Sequence, residues 1–177
     1  MPAFPRAEME EMMRRWLAAN ERAEAARDWK PMADFYTEDA EYTWNLGPNE
    51  EFVARGRQQI RDWVLGTEME GLEGWTYPYQ RVLIDEKEGE IVAFWRQVAP
   101  VERADGRPYE VRGAGGSWFR YAGGYLWNWQ RDFFDVGNAT ALFVELIQEG
   151  KLGATMQKRI ERVMAGELMP GHVKVTG

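Results

Sequence analysis

An α+β fold is what this chain predicts, with helices first and a long curved antiparallel sheet after them. Three observations carry it. Apolar residues recur at helical spacing near the start, four β-type segments separated by short turns follow, and 177 residues suffice for one domain with a single core. Met9, Met12, Met13, Trp16, Ala19, Asn20, Ala23 and Arg27 recur three or four apart among Glu and Arg, which predicts an amphipathic helix over about 7–27. Lys30-Pro31 opens a short second helix, proline being suited to a first helical turn, and Met32, Phe35 and Tyr36 supply its apolar side up to Thr37. AEYTW (40–44) alternates as a strand, NLGPNE is rich in turn formers, and Ile60, Trp63 and Val64 mark a third helix starting near Gly56. Beyond the glycine-punctuated loop 66–74 lie β segments at roughly 77–85, 90–99 and 109–121, split by DEKEGE and ADGRP, and a fourth at 125–135. Such short turns imply an antiparallel meander. Asn138 is placed to cap a helix over 139–149 closed by Gly150, and Thr155 opens another ending at Gly166.

Composition narrows the function. A net charge of −7 without clustered Lys and Arg argues against a nucleic-acid partner. With no cysteine and a single histidine, His172, thiolate chemistry is excluded, and zinc and Ser-His-Asp chemistry lose their ligands and base. The stretch MPAFPRAEMEEMM has no apolar core, and no apolar run approaches the ~18 residues that cross a bilayer, so a soluble, cytoplasmic chain without a membrane partner is expected. Aromatic residues make up 14%, with nine Trp, more than a core of this size requires. Flat apolar ligands or a subunit interface would use the surplus. No phosphate-cradling glycine loop joins strand to helix, because RGAGGS (112–117) lies within β structure, so neither a metal nor an organic cofactor is expected. The glycines of RGAGGS are read as points of sheet curvature.

The segment MADFYTEDAEYTW followed by GRQQIRDWV and then strands resembles the nuclear transport factor 2-like (NTF2-like) superfamily, in its SnoaL-like and ketosteroid-isomerase-like branch, over about residues 7–136. Phe35-Tyr36-x-x-Asp39-Ala40 ahead of a strand is the most specific element, with Gly56-x-x-x-Ile60 in support. The resemblance implies a sheet curled as a cone around the first helices, with a small hydrophobic molecule bound inside. It divides the chain into a cone domain, 1–137, and a C-terminal helical extension of the same domain, 138–177. Members include isomerases, dehydratases, polyketide cyclases, epoxide hydrolases and lyases of lignin-derived aromatic dimers, mostly without cofactor; others have no chemistry.

Transferred position by position, the isomerases' tyrosine acid becomes Asn20, their carboxylate base Trp44 and their second oxyanion donor Ser117, while the dehydratases' histidine meets WTYPYQ. Neither mechanism is thereby implied. If Ser117 points inward, so do Val111, Gly113, Gly115 and Phe119 by strand alternation, and the matching set on the next strand is Trp127, Trp129, Arg131 and Phe133. A one-residue slip would bring in Asp132 instead. Arg131 is then the candidate electrostatic stabiliser, Tyr42, Asn20 and Ser117 the donors, and Glu24, or Asp132 after a slip, the base. Tyr36, Trp44, Trp127, Trp129, Phe119 and Phe133 form aromatic walls, with Trp75, Tyr77 and Tyr79 at the mouth. Each has an ordinary alternative: Arg131 as half of a structural ion pair, Asn20 as a satisfied core amide, Glu24 as a solvated helix residue, Asp39 as a turn cap. The leading expectation is a cofactor-independent lyase, of dehydration or deformylation type, acting on an aromatic molecule such as a lignin-derived diaryl compound. The alternatives are an isomerase or polyketide cyclase of a polycyclic substrate, or a non-catalytic binding protein. Trp118, Asn128, Gln130 and Phe134 on the outer face of the last strands predict a homodimer through the sheet.

Overall fold

The computed structural model describes residues 3–175. Helix α1 (Arg6–Ala26) buries Met9, Met12, Met13, Trp16, Ala19, Asn20 and Ala23, the face that its periodicity predicts. A 3-10 turn, Lys30–Phe35, leads into β1 (Tyr36–Gly47). β1 folds back as a hairpin onto β2 (Glu50–Arg55), a strand absent from the sequence reading; its alternation of buried Phe52 and Ala54 with the less buried Glu51, Val53 and Arg55 is hidden behind the turn formers. Helix α2 (Arg57–Gln59) runs on into a π-helical turn, Ile60–Val64.

The rest of the sheet is β3 (Tyr79–Asp85), β4 (Glu90–Trp95), β7 (Gly115–Gly123) and β8 (Leu126–Phe134), with a separate hairpin of β5 (Val98–Glu102) and β6 (Pro108–Glu110) between β4 and β7. The expected segments 90–99 and 109–121 are thus each broken in two. Helix α3 (Val136–Gln148) starts before the expected cap, because the Asp135 side chain, not Asn138, accepts the first free amide, that of Asn138 at 2.9 Å. Helix α4 (Ala154–Met164) follows, and β9 (His172–Lys174) closes the described chain.

Seven strands form one curved, unclosed sheet in the order β3-β4-β7-β8-β1-β2-β9, antiparallel except where β8 runs parallel to β1. α1 crosses the sheet's inner face, and Trp16 meets Phe35, Tyr36, Phe119 and Trp127 edge to face, with ring centroids 5.4–6.1 Å apart. Burying each such side chain is worth roughly 1.5–3 kcal/mol, so this cluster fixes the helix against the sheet. A second cluster, built on Trp75, Tyr109, Leu142 and Leu146, joins α3 to the β5–β6 hairpin. β9 pairs with the free edge of β2, placing His172 opposite Phe52.

One irregularity decides what the sheet shows to its interior. Tyr121 pairs with Trp127 but Arg120 pairs with Trp129, so Asn128 is an extra residue, a bulge in β8. Beyond it the alternation reverses. Trp127 is fully buried, Trp129 turns outward, and Gln130 and Asp132 turn inward.

Candidate active site

Between α1, the inner face of the sheet and helices α3 and α4 lies a cavity of about 710 Å³. Its inner end is polar. β8 supplies Asp132 and Gln130, β7 supplies Ser117, and β1 supplies Tyr36 and Tyr42, all five lining the cavity. The Asp132 carboxylate accepts from the Tyr42 hydroxyl at 2.6 Å on Oδ2, and from the Ser117 hydroxyl at 2.6 Å and the Gln130 amide at 2.7 Å on Oδ1. Gln130 also donates to the Tyr42 oxygen at 2.8 Å, and its carbonyl accepts from Tyr36. Ser117 is held in turn by the Trp95 indole N–H at 2.9 Å. A carboxylate has about four acceptor sites, so these three donors leave one on Oδ2 for a ligand.

No cation pairs with Asp132 among the described residues. Burial raises its carboxyl above the ordinary value of 3.8, and the Ser117, Tyr42 and Gln130 donors pull it back without cancelling the shift. The exposure it retains is to the cavity that it lines. The neighbouring phenols stay protonated: burial, and after it the Asp132 charge, raises Tyr36 and Tyr42 well above the usual phenol range. Burial does the same for Tyr77 and Tyr79, against hydrogen bonds from Gln97 and Trp16 that pull the other way. Tyr79 accepts the Trp16 indole N–H at 2.9 Å, which leaves its own hydrogen for a ligand oxygen.

Seven residues expected at the site or its mouth meet at the cavity, Asn20, Tyr36, Tyr42, Trp44, Tyr77, Tyr79 and Ser117, together with Asp132, the base expected only after a slip. Asn20 donates to the Trp16 carbonyl at 2.9 Å, and Trp44 stacks on Phe52 at 3.7 Å. The others lie elsewhere. Arg131 is on the outer face of the sheet, half-exposed and paired with Glu51 at 2.9 Å, because the bulge reverses the parity on which its inward placement depended. The same reversal carries Trp129 out against Trp118 and Phe133 out against Phe94. Trp127 and Phe119 face inward as expected but are consumed by the core, stacked on one another at 4.6 Å. Trp75 is buried against Phe143 in the second cluster. Glu24 accepts the Tyr77 amide at 2.6 Å rather than lining the cavity; burial raises its carboxyl, and that amide opposes the shift. Gln130, Trp16 and Trp95 complete the site without having been singled out for it. For Gln130 the available signal was an amide beside Trp129 and two positions before an acid.

The outer end of the cavity differs. Arg159 of α4 faces it, but its guanidinium is committed to the Glu68 carboxylate and to the Glu68 carbonyl at 2.6 Å. His172 lies 3.3 Å from the other Glu68 oxygen. Among the described residues no three His, Cys, Asp or Glu side chains converge as a metal site, and no helix is long and apolar enough to cross a membrane.

Residues 13–129 match the model of the SnoaL-like domain family. No curated protein matches the chain. Among solved structures, an NTF2-like protein of Anabaena variabilis is similar with a TM-score of 0.56 at 16% identity, over 76% of this chain and 95% of its own. A Bacillus subtilis protein provisionally named an isomerase gives a TM-score of 0.56 at 13% identity, over 77% and 94%. A Xanthomonas campestris protein provisionally named a polyketide cyclase gives 0.51 at 16%, over 75% and 96%. At these identities the likeness is one of fold.

Proposed function

The chain belongs to the SnoaL-like domain family, and on that footing we propose that it is an enzyme of the isomerase or cyclase kind, moving protons on an uncharged, ring-bearing carbonyl compound with Asp132 as base. One observation carries this reading: a carboxylate with a raised pKa and no counter-cation among the described residues, held by three donors at the polar end of a largely apolar cavity. Burial that lifts a carboxyl toward neutrality makes it a stronger base once ionised, and the fixed donors hold its free lone pair toward the ligand.

The chemistry then needs side chains alone. Asp132 takes a proton from the carbon next to the substrate carbonyl; the C–H electron pair becomes the C=C bond, and the carbonyl oxygen becomes an enolate. Tyr79, and Tyr77 beside it, are placed to donate to that oxygen. Returning the proton from Asp132 to a different carbon isomerises the substrate. Alternatively the enolate carbon attacks a second carbonyl of the same molecule and the new alkoxide takes the Asp132 proton, which closes a ring. The aromatic walls, Trp16, Trp29, Trp44 and Trp95, suit flat rings, and the absence of a free cation among the described lining residues suits a substrate without an anionic group. The lyase reading for lignin-derived diaryl compounds has less behind it, since of the aromatic wall on which it leaned Trp129 and Phe133 face outward and Trp127 is spent in the core. A homodimer through the sheet remains part of the proposal, on a corrected surface: Trp118, Trp129, Phe94 and Phe133 lie on the outer face, whereas Gln130 and Phe134 line the cavity.

The test is deuterium incorporation from D2O into a β,γ-unsaturated cyclic ketone, followed by NMR. The wild-type protein is expected to accelerate exchange, and Asp132→Asn to lose about 10²–10⁴ of that acceleration. Equal exchange in the two proteins would overturn the assignment.

A further inference from the structure

The cavity has two chemically distinct ends. Toward Asp132 its walls are mostly aromatic and come from α1, Trp29, β1, β3 and β4; toward solvent they are mostly aliphatic and come from α3, α4 and the loop before β3, with Phe143 and Tyr77 the aromatic exceptions. Eight of the ten lining residues on α3 and α4 are apolar, the exceptions being Thr140 and the already neutralised Arg159. Val144, Ile147, Val163 and Met164 line the cavity yet remain 45%, 49%, 48% and 82% exposed, so the apolar surface continues unbroken from the interior to the rim. α4 is an amphipathic helix with only Met156 buried, anchored where Met156 lies so close to Gly71 that a Cβ there would fall 2.7 Å from its backbone. The remainder of its apolar face lies against the open cavity.

We propose that this face is the seat of a substrate tail: the ligand is an uncharged amphiphile whose carbonyl head lies at Asp132 and whose flexible aliphatic chain runs out between α3 and α4. The proposal rests on the proton-transfer reading for its head group only. Rigid rings prefer the flat aromatic faces at the inner end. Methionine and branched aliphatic side chains, adaptable and without a preferred stacking plane, suit a mobile chain. A cavity of about 710 Å³ lies in the upper part of the usual range for small-molecule sites, larger than a compact ring system alone would fill.

The probes are 2-alkanones of 8, 10, 12 and 14 carbons, titrated against the full chain by quenching of the cavity tryptophans. Affinity should rise with length, by up to about fourfold per methylene at full burial. Val163→Asp and, separately, Ile147→Asp alter exposed rim positions on different helices, so a folding defect in one leaves the other to decide. Each should bind the 8-carbon ketone within about twofold of wild type and lose tenfold or more on the 14-carbon one, against a methylene gain of that order. A length series that is flat in the wild type, or equal losses at every length in both variants, would overturn the tail site. So would a flat series together with rim-dependent sedimentation on phosphatidylcholine vesicles, which would make the rim a membrane-docking surface. Asp132→Asn should keep the length series. If deuterium exchange fails while the series holds, the tail site stands and the proton-transfer reading falls; if exchange holds while the series is flat, the reverse follows.

Discussion

Replacing Asp132 with Asn separates the functional burial of a charge from its structural use. The substitution keeps the side chain's size and removes an ionisable group whose folded pKa lies above 3.8. A raised folded pKa means that the folded protein holds the proton more tightly than the unfolded chain. The resulting stability is full below the unfolded value and is lost as pH rises through the folded one. Within that window the wild type loses about 1.4 kcal/mol per pH unit relative to a variant that cannot titrate. For a domain of this size 1 kcal/mol corresponds to about 2–4 °C in Tm, so the slope approaches roughly 3–6 °C per pH unit. Against this, the amide turns one acceptor into a donor facing Tyr42 or the Ser117–Gln130 pair, a fixed cost of about 1–3 kcal/mol that does not vary with pH. The observable is therefore the difference in Tm, variant minus wild type, measured by calorimetry between pH 4 and pH 8. It should grow more positive as pH rises and then level off. A difference that grows more negative with pH would mean that the three donors outweigh burial, that the carboxyl's pKa is lowered, and that Asp132 is a structural anion.

Two further outcomes follow from the outer face. Arg131→Met should leave ketone binding and exchange unchanged and cost no more than about 1 kcal/mol, because its partner Glu51 is likewise half-exposed; a hundredfold loss of exchange would return the arginine to the site. Light scattering at micromolar concentration should give about twice 20.6 kDa, and Trp129→Glu should reduce it to the monomer mass; a wild-type monomer would refute the sheet-face dimer.

What could be read from residues alone follows from how far each inference had to count. α1 declares itself because one face carries every buried residue and the other nearly every charge. Tyr42 and Trp44 were placed inward by alternation from Ala40 along a regular stretch of β1, Ser117 through the family resemblance and Tyr36 as the apolar side of a short helix, and all four line the cavity. β9 escaped notice because three residues pair only through the reach of α3 and α4, a tertiary cause with no local trace. The cavity-facing role of those two helices was invisible for the same reason: periodicity shows that a helix has an apolar face, not what the face meets. Trp127 was placed correctly and every residue from Trp129 to Phe134 wrongly, since the count from Ser117 crossed one unpaired residue, Asn128.

That unpaired residue gives the most direct test of how β8 presents the site. Asn128 is exposed and makes no cross-strand pair, so Asn128→Ala should change stability by little. Deleting it should be tolerated as well, because Trp127 and Trp129 become neighbours, and neighbours on a strand face opposite ways, which is how the two rings already lie. Tyr121 and Arg120 then meet them one for one, so the bulge is lost while the six-residue pairing with β7 and the inward placement of Asp132 survive. The deletion variant should therefore unfold in denaturant within about 1 kcal/mol of the wild type and keep Asp132-dependent exchange. A variant destabilised by about 3–5 kcal/mol, the cost of expelling Trp127 from its stack on Phe119, or one that has lost that exchange, would show that Asn128 is more than an extra residue, and the inward placement of Asp132 would then need another cause.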